Sequence, residues 1–166
     1  MKLDSLQQLY LYELKDIYNG EQQMLKALPK MAQTASSPEL RAALEEHLEQ
    51  TRGHVDRLEQ IFRKLDEPAK GQKCKGLEGI ISEGQEMVED EDAPPAVADA
   101  AMIGAAQRVE HYEMAVYGTL RNYARRLGFE DQARLLQQTL QEEKETDQKL
   151  TTIADSYINE GAKSAR

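Results

Sequence analysis

Apolar residues recur at intervals of three and four positions along nearly the whole chain. This spacing places them on one face of an α-helix, whereas a half-buried strand would show strict alternation of apolar and polar residues. No alternating run is long enough to predict a strand. The pattern therefore predicts an all-α protein.

The pattern divides into four long helices and one shorter helix. The predicted elements are α1 from about Leu3 to Thr34, α2 from Ser36 or Ser37 to about Leu65, α3 from about Gly76 to Glu89, α4 from about Pro95 to Leu127, and α5 from about Glu130 to Asn159. Pro38 suits the first turn of α2, where its missing N–H costs nothing. Gly128 suits the C-terminal cap of α4.

The connections between these helices indicate how they are arranged. The α1–α2 and α4–α5 links are a few residues long, so the two helices of each pair should be antiparallel neighbours. The link between α2 and α4, from Asp66 to Ala93, is long and contains α3. Two helix pairs joined by a long crossover form a ferritin-like four-helix bundle. We expect residues 1–160 to form this single domain and residues 161–166 to be a flexible tail.

Several ionisable side chains interrupt the apolar faces. They are Glu21 in α1, His47 and His54 in α2, Glu110 and Glu113 in α4, and Glu143 and Asp147 in α5. Thr51 lies between the two histidines on the same face. A carboxylate that faces a bundle core loses its hydration, which is unfavourable unless a cation, a proton or a hydrogen-bonded partner replaces the water.

These side chains are expected at one level of the bundle. The turn near Ala35 places Glu21 beside residue 50 of α2, and the turn near Gly128 places Glu110 and Glu113 near Glu143. Carboxylates and imidazoles on facing helices can hold two cations a few ångströms apart. Histidine suits iron, manganese or zinc better than calcium or magnesium. The sequence therefore predicts a dinuclear metal site.

The chain resembles the YciE/YciF-like stress proteins of the ferritin-like superfamily over nearly its whole length. The segments that carry the resemblance are DIYNGEQQ, HLEQTRGHVDRLEQ, KCKGLEGIISEG, AAQRVEHYEMAVYGTL and LQEEKETDQKLT. GEQQ and VEHYEMAVY are also similar, more distantly, to the iron-binding segments of rubrerythrin, and bacterioferritin is a further distant relative. The resemblance implies Glu21, Glu110, Glu113 and Glu143 as metal ligands. It also implies iron as the metal, while the histidines leave manganese and zinc as alternatives.

The chain departs from the superfamily's Glu-x-x-His motif in two places. In α2 the corresponding residues are Thr51 to His54, so the glutamate is missing, and in α5 they are Glu143 to Thr146, so the histidine is missing. Either His47 and Asp147 complete the ligand set, or the site binds metal weakly or asymmetrically.

Each candidate also has a purely structural interpretation. The four glutamates could lie at the edges of the apolar faces and pair with arginine or lysine, and the histidines and Asp147 could be satisfied core residues. Glu49 and Glu142 are neighbours of the candidates but rotate towards solvent, so they are expected on a solvated face. The three tyrosines near the site could carry electrons or donate hydrogen bonds, although aromatic residues at helical spacing usually pack in the core. They are Tyr18, Tyr112 and Tyr117.

Composition restricts the classes of function. The net charge is −9, and the sequence has no basic stripe that would bind the phosphates of a nucleic acid. No apolar run is long enough to span a membrane. The lone Cys74 and the absence of a signal-like apolar run predict a cytoplasmic location.

We expect a stress-associated protein with oxidase-type, peroxidase-type or metal-handling activity and with dioxygen or peroxide as co-reactant. The alternative is a metal-free scaffold that acts through protein association, whose buried carboxylates would then be answered by internal arginine or lysine. We also expect a homodimer formed through the apolar surface of α1 and α3. The residues expected in that surface are Leu3, Leu6, Tyr12, Leu77, Ile80 and Ile81.

Overall fold

Helices form almost all of the chain between short links. The structure is a computed structural model that describes residues 3–88 and 92–165. The helices are α1 (Leu6–Thr34), α2 (Pro38–Lys64), α3 (Lys75–Val88), α4 (Pro95–Arg126) and α5 (Glu130–Ile153), and α5 continues through a π-helical turn (Ala154–Ile158) into α6 (Asn159–Ser164). No strand occurs within the described ranges, which confirms the prediction of an all-α fold.

The helix ends follow the capping signals of the sequence. Ser37 is the N-cap of α2, and its Oγ accepts a hydrogen bond from the backbone N–H of Leu40 at 3.1 Å. Gly128 adopts a φ of +78° just after α4, a conformation that favours glycine. The first helix begins at Leu6 rather than Leu3, because Ser5 caps it through the N–H of Gln8.

The predicted C-terminal ends of α3 and α5 compare differently with the structure. The predicted end of α3 at Glu89 lies outside the described residues, as does the acidic run up to residue 91. The predicted end of α5 at Asn159 is too early, because helical structure continues to Ser164 and this last segment packs against α4. The predicted tail is therefore helical over residues 161–164, and Arg166 lies outside the described residues.

Two antiparallel helix pairs pack into the bundle. The α1–α2 pair and the α4–α5 pair meet where α2 packs on α5 and α1 packs on α4. The centre is filled by large apolar side chains with no measurable or almost no exposure, among them Tyr10, Leu14, Ile17, Leu58, Phe62, Met102, Leu120, Leu136 and Leu150. Burial of this continuous apolar face is the main source of stability for helices that would be marginal alone.

The crossover helix α3 covers the groove between α1 and α4. It approaches α1 closely at Gly20, where an added Cβ would lie 2.4 Å from Leu77 Cδ1. Leu77 is fully buried by this contact. It is therefore not available for the dimer surface in which it was expected, whereas Leu3 and Leu6 remain exposed.

Hydrogen bonds at one end of the bundle join the two helix pairs. The buried Asp99 carboxylate, in the second turn of α4, accepts hydrogen bonds from the backbone N–H groups of Ser36 at 2.9 Å and Ser37 at 2.8 Å. These contacts fix α4 against the α1–α2 turn and so set the level at which the helix pairs face each other. None of the helices in the described ranges is both long and apolar enough to cross a membrane.

Candidate metal centre

Six ionisable side chains from four helices meet in the middle of the bundle. They are Glu21, His47, His54, Glu110, Glu113 and Glu143, and none of them exposes more than 2% of its surface. Ionisable residues are rarely buried to this degree unless they are paired or bind a cation. The structure thus brings together every predicted site residue except Asp147.

The six residues form two ligand groups that share Glu143. One group contains His47, Glu110, Glu113 and Glu143, and the other contains Glu21, His54 and Glu143, with the candidate ligand atoms of each group all within 4.8 Å of one another. The Nε2 atom of His47 lies 3.2 Å from Glu110 Oε1 and 3.9 Å from Glu143 Oε2. In the second group, His54 Nδ1 lies 3.1 Å from Glu143 Oε1 and 3.4 Å from Glu21 Oε1.

The atoms that converge on this point lack hydrogen-bond partners. Among the described residues, the buried side-chain atoms without a partner are Glu21 Oε2, His47 Nε2, His54 Nδ1, Glu110 Oε2, Glu113 Oε1, both carboxylate oxygens of Glu143, and, outside the cluster, Arg121 Nε. Leaving such an atom unpaired costs roughly 1–3 kcal/mol, and more for a charged group. Imidazole nitrogens and carboxylate oxygens are ligands that suit transition-metal ions, and one cation in each of the two groups would satisfy them.

His54 is held by a carboxylate that lies outside the cluster. Its Nε2 lies 3.0 Å from Glu142 Oε2, and Glu142 in turn accepts hydrogen bonds at 2.7 and 2.8 Å from Nη2 of Arg57. Arg57 also donates through Nη1 to Thr139 at 2.7 Å. When His54 is neutral and donates Nε2–H to the Glu142 carboxylate, its Nδ1 lone pair points into the cluster. Metal-ligating histidines are commonly oriented by such a carboxylate.

His47 is oriented by neutral partners. Its Nδ1 lies 3.3 Å from Gln50 Oε1 and 3.3 Å from the hydroxyl of Thr146, which itself donates to Gln50 Oε1 at 3.1 Å. With Nδ1–H donating to Gln50, the lone pair on Nε2 faces Glu110. The two histidines therefore present opposite ring nitrogens to the cluster, and each has its other nitrogen fixed.

Tyr117 closes the cluster beside Glu21. This fully buried tyrosine donates a short hydrogen bond through its hydroxyl to Glu21 Oε1. Its ring packs against the His54 ring with centroids 6.2 Å apart. Tyr117 thus packs in the core, as expected of aromatic residues at helical spacing, and also donates a hydrogen bond to a residue of the cluster. By contrast, Tyr18 donates to Glu59 at 3.1 Å, and the Tyr112 hydroxyl lies 3.5 Å from the buried Cys74 sulfur.

Burial and mutual repulsion make the cluster bind protons when no cation is bound. Burial, together with the charge of Glu143, raises the pKa of Glu110 well above its ordinary value, and burial with the charges of Glu21 and Glu143 does the same to Glu113. Burial disfavours the charged form of His54, but the charges of Glu21 and Glu143 outweigh it and raise the pKa of His54. Protons thus replace part of the missing positive charge.

The pKa of Glu142 is lowered, in contrast to the raised pKa values of Glu110 and Glu113. Burial alone would raise its pKa, but hydrogen bonds from His54 and Arg57 outweigh burial and lower the pKa to about 2. Glu142 therefore remains ionised over the range in which His54 needs an acceptor. The expectation that Glu142 lies on a solvated face is wrong, whereas Glu49 is exposed as expected.

Asp147 does not join the cluster. Its carboxylate turns to the α4–α5 edge, where it lies 3.3 Å from His111 Nε2 and accepts a hydrogen bond from Gln107 at 3.1 Å. Nor does Thr51 face the cluster as a ligand, because its hydroxyl donates to the His47 carbonyl at 2.9 Å. From α2, both histidines reach the cluster, and in α5 Thr146 contacts His47 at the position where the superfamily motif has a histidine.

The fold and the buried carboxylate–histidine cluster define a ferritin-like helical bundle protein. The chain belongs to the family described as "Domain of unknown function (DUF892)", whose model matches residues 5–163. It is 40% identical to the protein YciF of Escherichia coli K12 over 163 residues, which is 98% of each chain. The predicted resemblance to YciF-like proteins is thereby confirmed.

Solved structures agree with this assignment. The structure of the E. coli stress protein YciF has a TM-score of 0.89 and 41% identity, covering 94% of this chain and 98% of that one. YcfI from Rhodopseudomonas palustris, described as a candidate structural protein, has a TM-score of 0.88 and 43% identity, and the match covers 91% of this chain and 96% of that one. A Xanthomonas campestris protein shares the fold with a TM-score of 0.71 and 23% identity, covering 92% of each chain.

Proposed function

We propose that the cluster binds two transition-metal ions, with iron as the physiological metal and manganese or zinc as the other ions that the donor set suits. His47, Glu110 and Glu113 would hold one ion, and Glu21 and His54 would hold the other. Glu143 belongs to both ligand groups and would bridge the two ions. The observation that supports this proposal is that buried donor atoms without hydrogen-bond partners converge in two groups that share Glu143.

The charges around the cluster favour this proposal over a metal-free scaffold. In a metal-free scaffold, the buried carboxylates should form ion pairs with arginine or lysine. In the described part of the chain, the ion-pair partners of Glu21, Glu110 and Glu143 are histidines, and none is an arginine or lysine. The nearby Arg57 is directed to Glu142 instead. The negative charge of the cluster is thus left for cations or protons to balance.

Two ferrous ions in this position would supply two electrons, which with two protons reduce hydrogen peroxide to two waters or dioxygen to hydrogen peroxide. The chain's own residues would fix the ligands and exclude bulk water. Glu142 would hold the His54 tautomer, and Tyr117 would position Glu21. Because YciF of E. coli is described as a stress protein, we propose a role for this chain in stress protection through such redox chemistry or metal handling.

Anaerobic metal loading tests the proposal. We expect protein loaded with ferrous iron to retain about two ions per chain after desalting and to melt at a higher temperature, because a ligand at about 100 times its Kd adds about 2.7 kcal/mol to stability. Glu113→Ala should lose most of this iron, whereas Glu145→Ala, an exposed neighbour on α5, should retain it. Wild-type protein that binds no iron, manganese or zinc would refute the proposal.

Peroxide then tests the redox part separately. Addition of hydrogen peroxide to the anaerobic ferrous protein should oxidise both ions and consume about one peroxide per pair, measured by the absorbance of ferric iron and by peroxide assay. Stable binding of two ions without oxidation would support metal handling and exclude the peroxidase-type activity.

A further inference from the structure

A cavity of about 130 Å³ lies beside the carboxylate–histidine cluster, between the crossover helix α3 and the α1–α4 groove. Its inner wall is buried and apolar, and consists of Met24 and Ala27 from α1, Gly84 from α3, and Ala105 and Val109 from α4. The polar residues that line it, Lys30, Thr34 and Gln85, are all exposed. The cavity therefore leads from a polar opening at the surface to an apolar interior end.

The interior end of the cavity lies one helical turn from the cluster. Met24 follows Glu21 by three residues in α1, and Val109 precedes Glu113 by four residues in α4. Residues three and four positions apart share one helix face and lie about 4.5 Å and about 6 Å apart along the axis. Among the residues that line the cavity, Met24 and Val109 thus lie nearest to the carboxylates along α1 and α4. A methionine side chain is flexible and can move aside for a small molecule.

The crossover helix makes this cavity. In α3, Gly84 faces Ala105 so closely that an added Cβ would lie 2.8 Å from the Ala105 Cβ. Small residues at this point let α3 approach α4, while Ile80 and Ile81 line the same cavity one turn earlier. A four-helix bundle without α3 would leave this side of the site as an open groove, whereas α3 turns it into a partly enclosed apolar space.

From this geometry we propose that the cavity binds dioxygen and is its route to the metal centre. The proposal rests on the proposed function and names dioxygen as the oxidant that enters here. An apolar cavity of about 150 Å³ in another protein stays dry and binds apolar guests such as xenon, and the inner wall of this cavity is likewise apolar. Dioxygen makes no strong hydrogen bonds with water, so it loses little hydration free energy when it enters an apolar cavity. Peroxide would lose the hydrogen bonds of two hydroxyl groups, which an apolar wall cannot replace.

Xenon tests the cavity independently of any iron chemistry. Crystals of the wild-type protein pressurised with xenon should show a xenon atom beside Ala27 and Ala105. Ala27→Leu, which fills the cavity, should show none, and Ala42→Leu, at an exposed position of α2, should retain it. Ile80→Phe is a second filling variant from the other wall if Ala27→Leu does not fold. Absence of xenon from the wild-type cavity would overturn the proposal.

Oxidation rates test the route. In stopped-flow experiments on anaerobically loaded ferrous protein, we expect Ala27→Leu to slow oxidation by dioxygen at least tenfold without changing the number of ions bound, while Ala42→Leu matches wild type. Equal dioxygen rates in all three proteins, or no oxidation of wild type by dioxygen, would overturn the route and leave the metal site intact. If the protein binds no iron, the proposed function fails, and this route fails with it.

Discussion

The Nδ1 atom of His54 lies 3.1 Å from Oε1 of Glu143, yet the two atoms are not in hydrogen-bonding geometry and neither has another hydrogen-bond partner. In the neutral form of His54, the lone pair of Nδ1 and a lone pair of Glu143 Oε1 therefore face each other. Because Glu142 engages the opposite ring nitrogen, His54 is held in this orientation from outside the cluster. A cation between His54 and Glu143 would bind both atoms, and a proton shared between them satisfies them in part.

The metal-free protein should lose stability as the pH rises above about 5. The raised pKa values of Glu110 and Glu113 mean that the folded protein binds more protons than the unfolded chain above the ordinary glutamate value of 4.5. Stability then falls with pH through this window. The raised pKa of His54 acts in the same direction above its ordinary value of 6.5. Urea unfolding of chelator-treated protein between pH 5 and 8 measures this slope.

A matched pair of variants identifies the source of the slope. Glu113→Gln removes one buried titrating carboxyl, so its metal-free form should show a flatter dependence on pH, whereas the exposed Glu145→Gln should follow wild type. Saturating metal should reverse the trend, because metal binding displaces protons and becomes stronger at higher pH. A wild-type slope that stays flat or rises with pH in the absence of metal would contradict the electrostatic description.

Removal of the Glu142 carboxylate should weaken metal binding although Glu142 is not a ligand. Glu142→Gln can donate to His54 Nε2 through its amide and so no longer selects the tautomer whose Nδ1 lone pair faces the cluster. Loss of such an outer partner typically costs about 10-fold to 100-fold in metal affinity. Competition with a chromophoric chelator measures the affinity, with Glu145→Gln as control. Unchanged affinity would assign Glu142 a role only in pairing with Arg57.

Substitution of Asp147 should leave metal binding unchanged. The carboxylate faces Gln107 and His111 at the edge of α4 and α5. Asp147→Asn should therefore bind the same number of ions as wild type, and Glu143→Gln, one helical turn away on the same helix, should bind far fewer. Metal analysis of the two variants side by side checks this, and loss of metal from Asp147→Asn would restore it to the ligand set.

Helical periodicity predicted most of the fold because each helix buries one apolar face. The level of the site was also predictable, since two short turns fix which residues of an antiparallel pair face each other. Side-chain direction was not predictable from the same pattern. Glu142 and Asp147 both lie close to Glu143 in α5, and only the contacts with Arg57 and Gln107 decide which of them supports the site.

The sequence contained a sign that some residues support the site from outside, but which residues do so depends on the packing between helices. His54 and Arg57 lie one turn apart in α2, so a carboxylate of α5 at their level could reach both. Which carboxylate does so depends on how α2 and α5 rotate against each other. The supporting position of Gln50 depends on the same rotation, because Thr146 of α5 contacts it.

We expect a homodimer with two metal ions per chain and no mineral core. Leu3 and Leu6 remain exposed at the start of α1, at 52% and 37%, and offer the apolar surface for a symmetric contact. Leu6→Glu should give a monomer, whereas Val97→Glu, equally exposed at the opposite end of the bundle, should not. Light scattering during iron titration measures mass and uptake together. A closed shell of many chains that keeps absorbing iron would contradict this prediction.

Anomalous X-ray scattering from crystals soaked anaerobically with manganous or ferrous ion would locate the metal ions themselves. We expect two peaks roughly 3.5–4 Å apart, one beside His47, Glu110 and Glu113 and one beside Glu21 and His54, with Glu143 between them. Crystals of Glu143→Gln should lose at least one peak. Wild-type crystals with no peak in the cluster at saturating metal, or with metal bound only at the surface, would show that the cluster is not a dinuclear metal site.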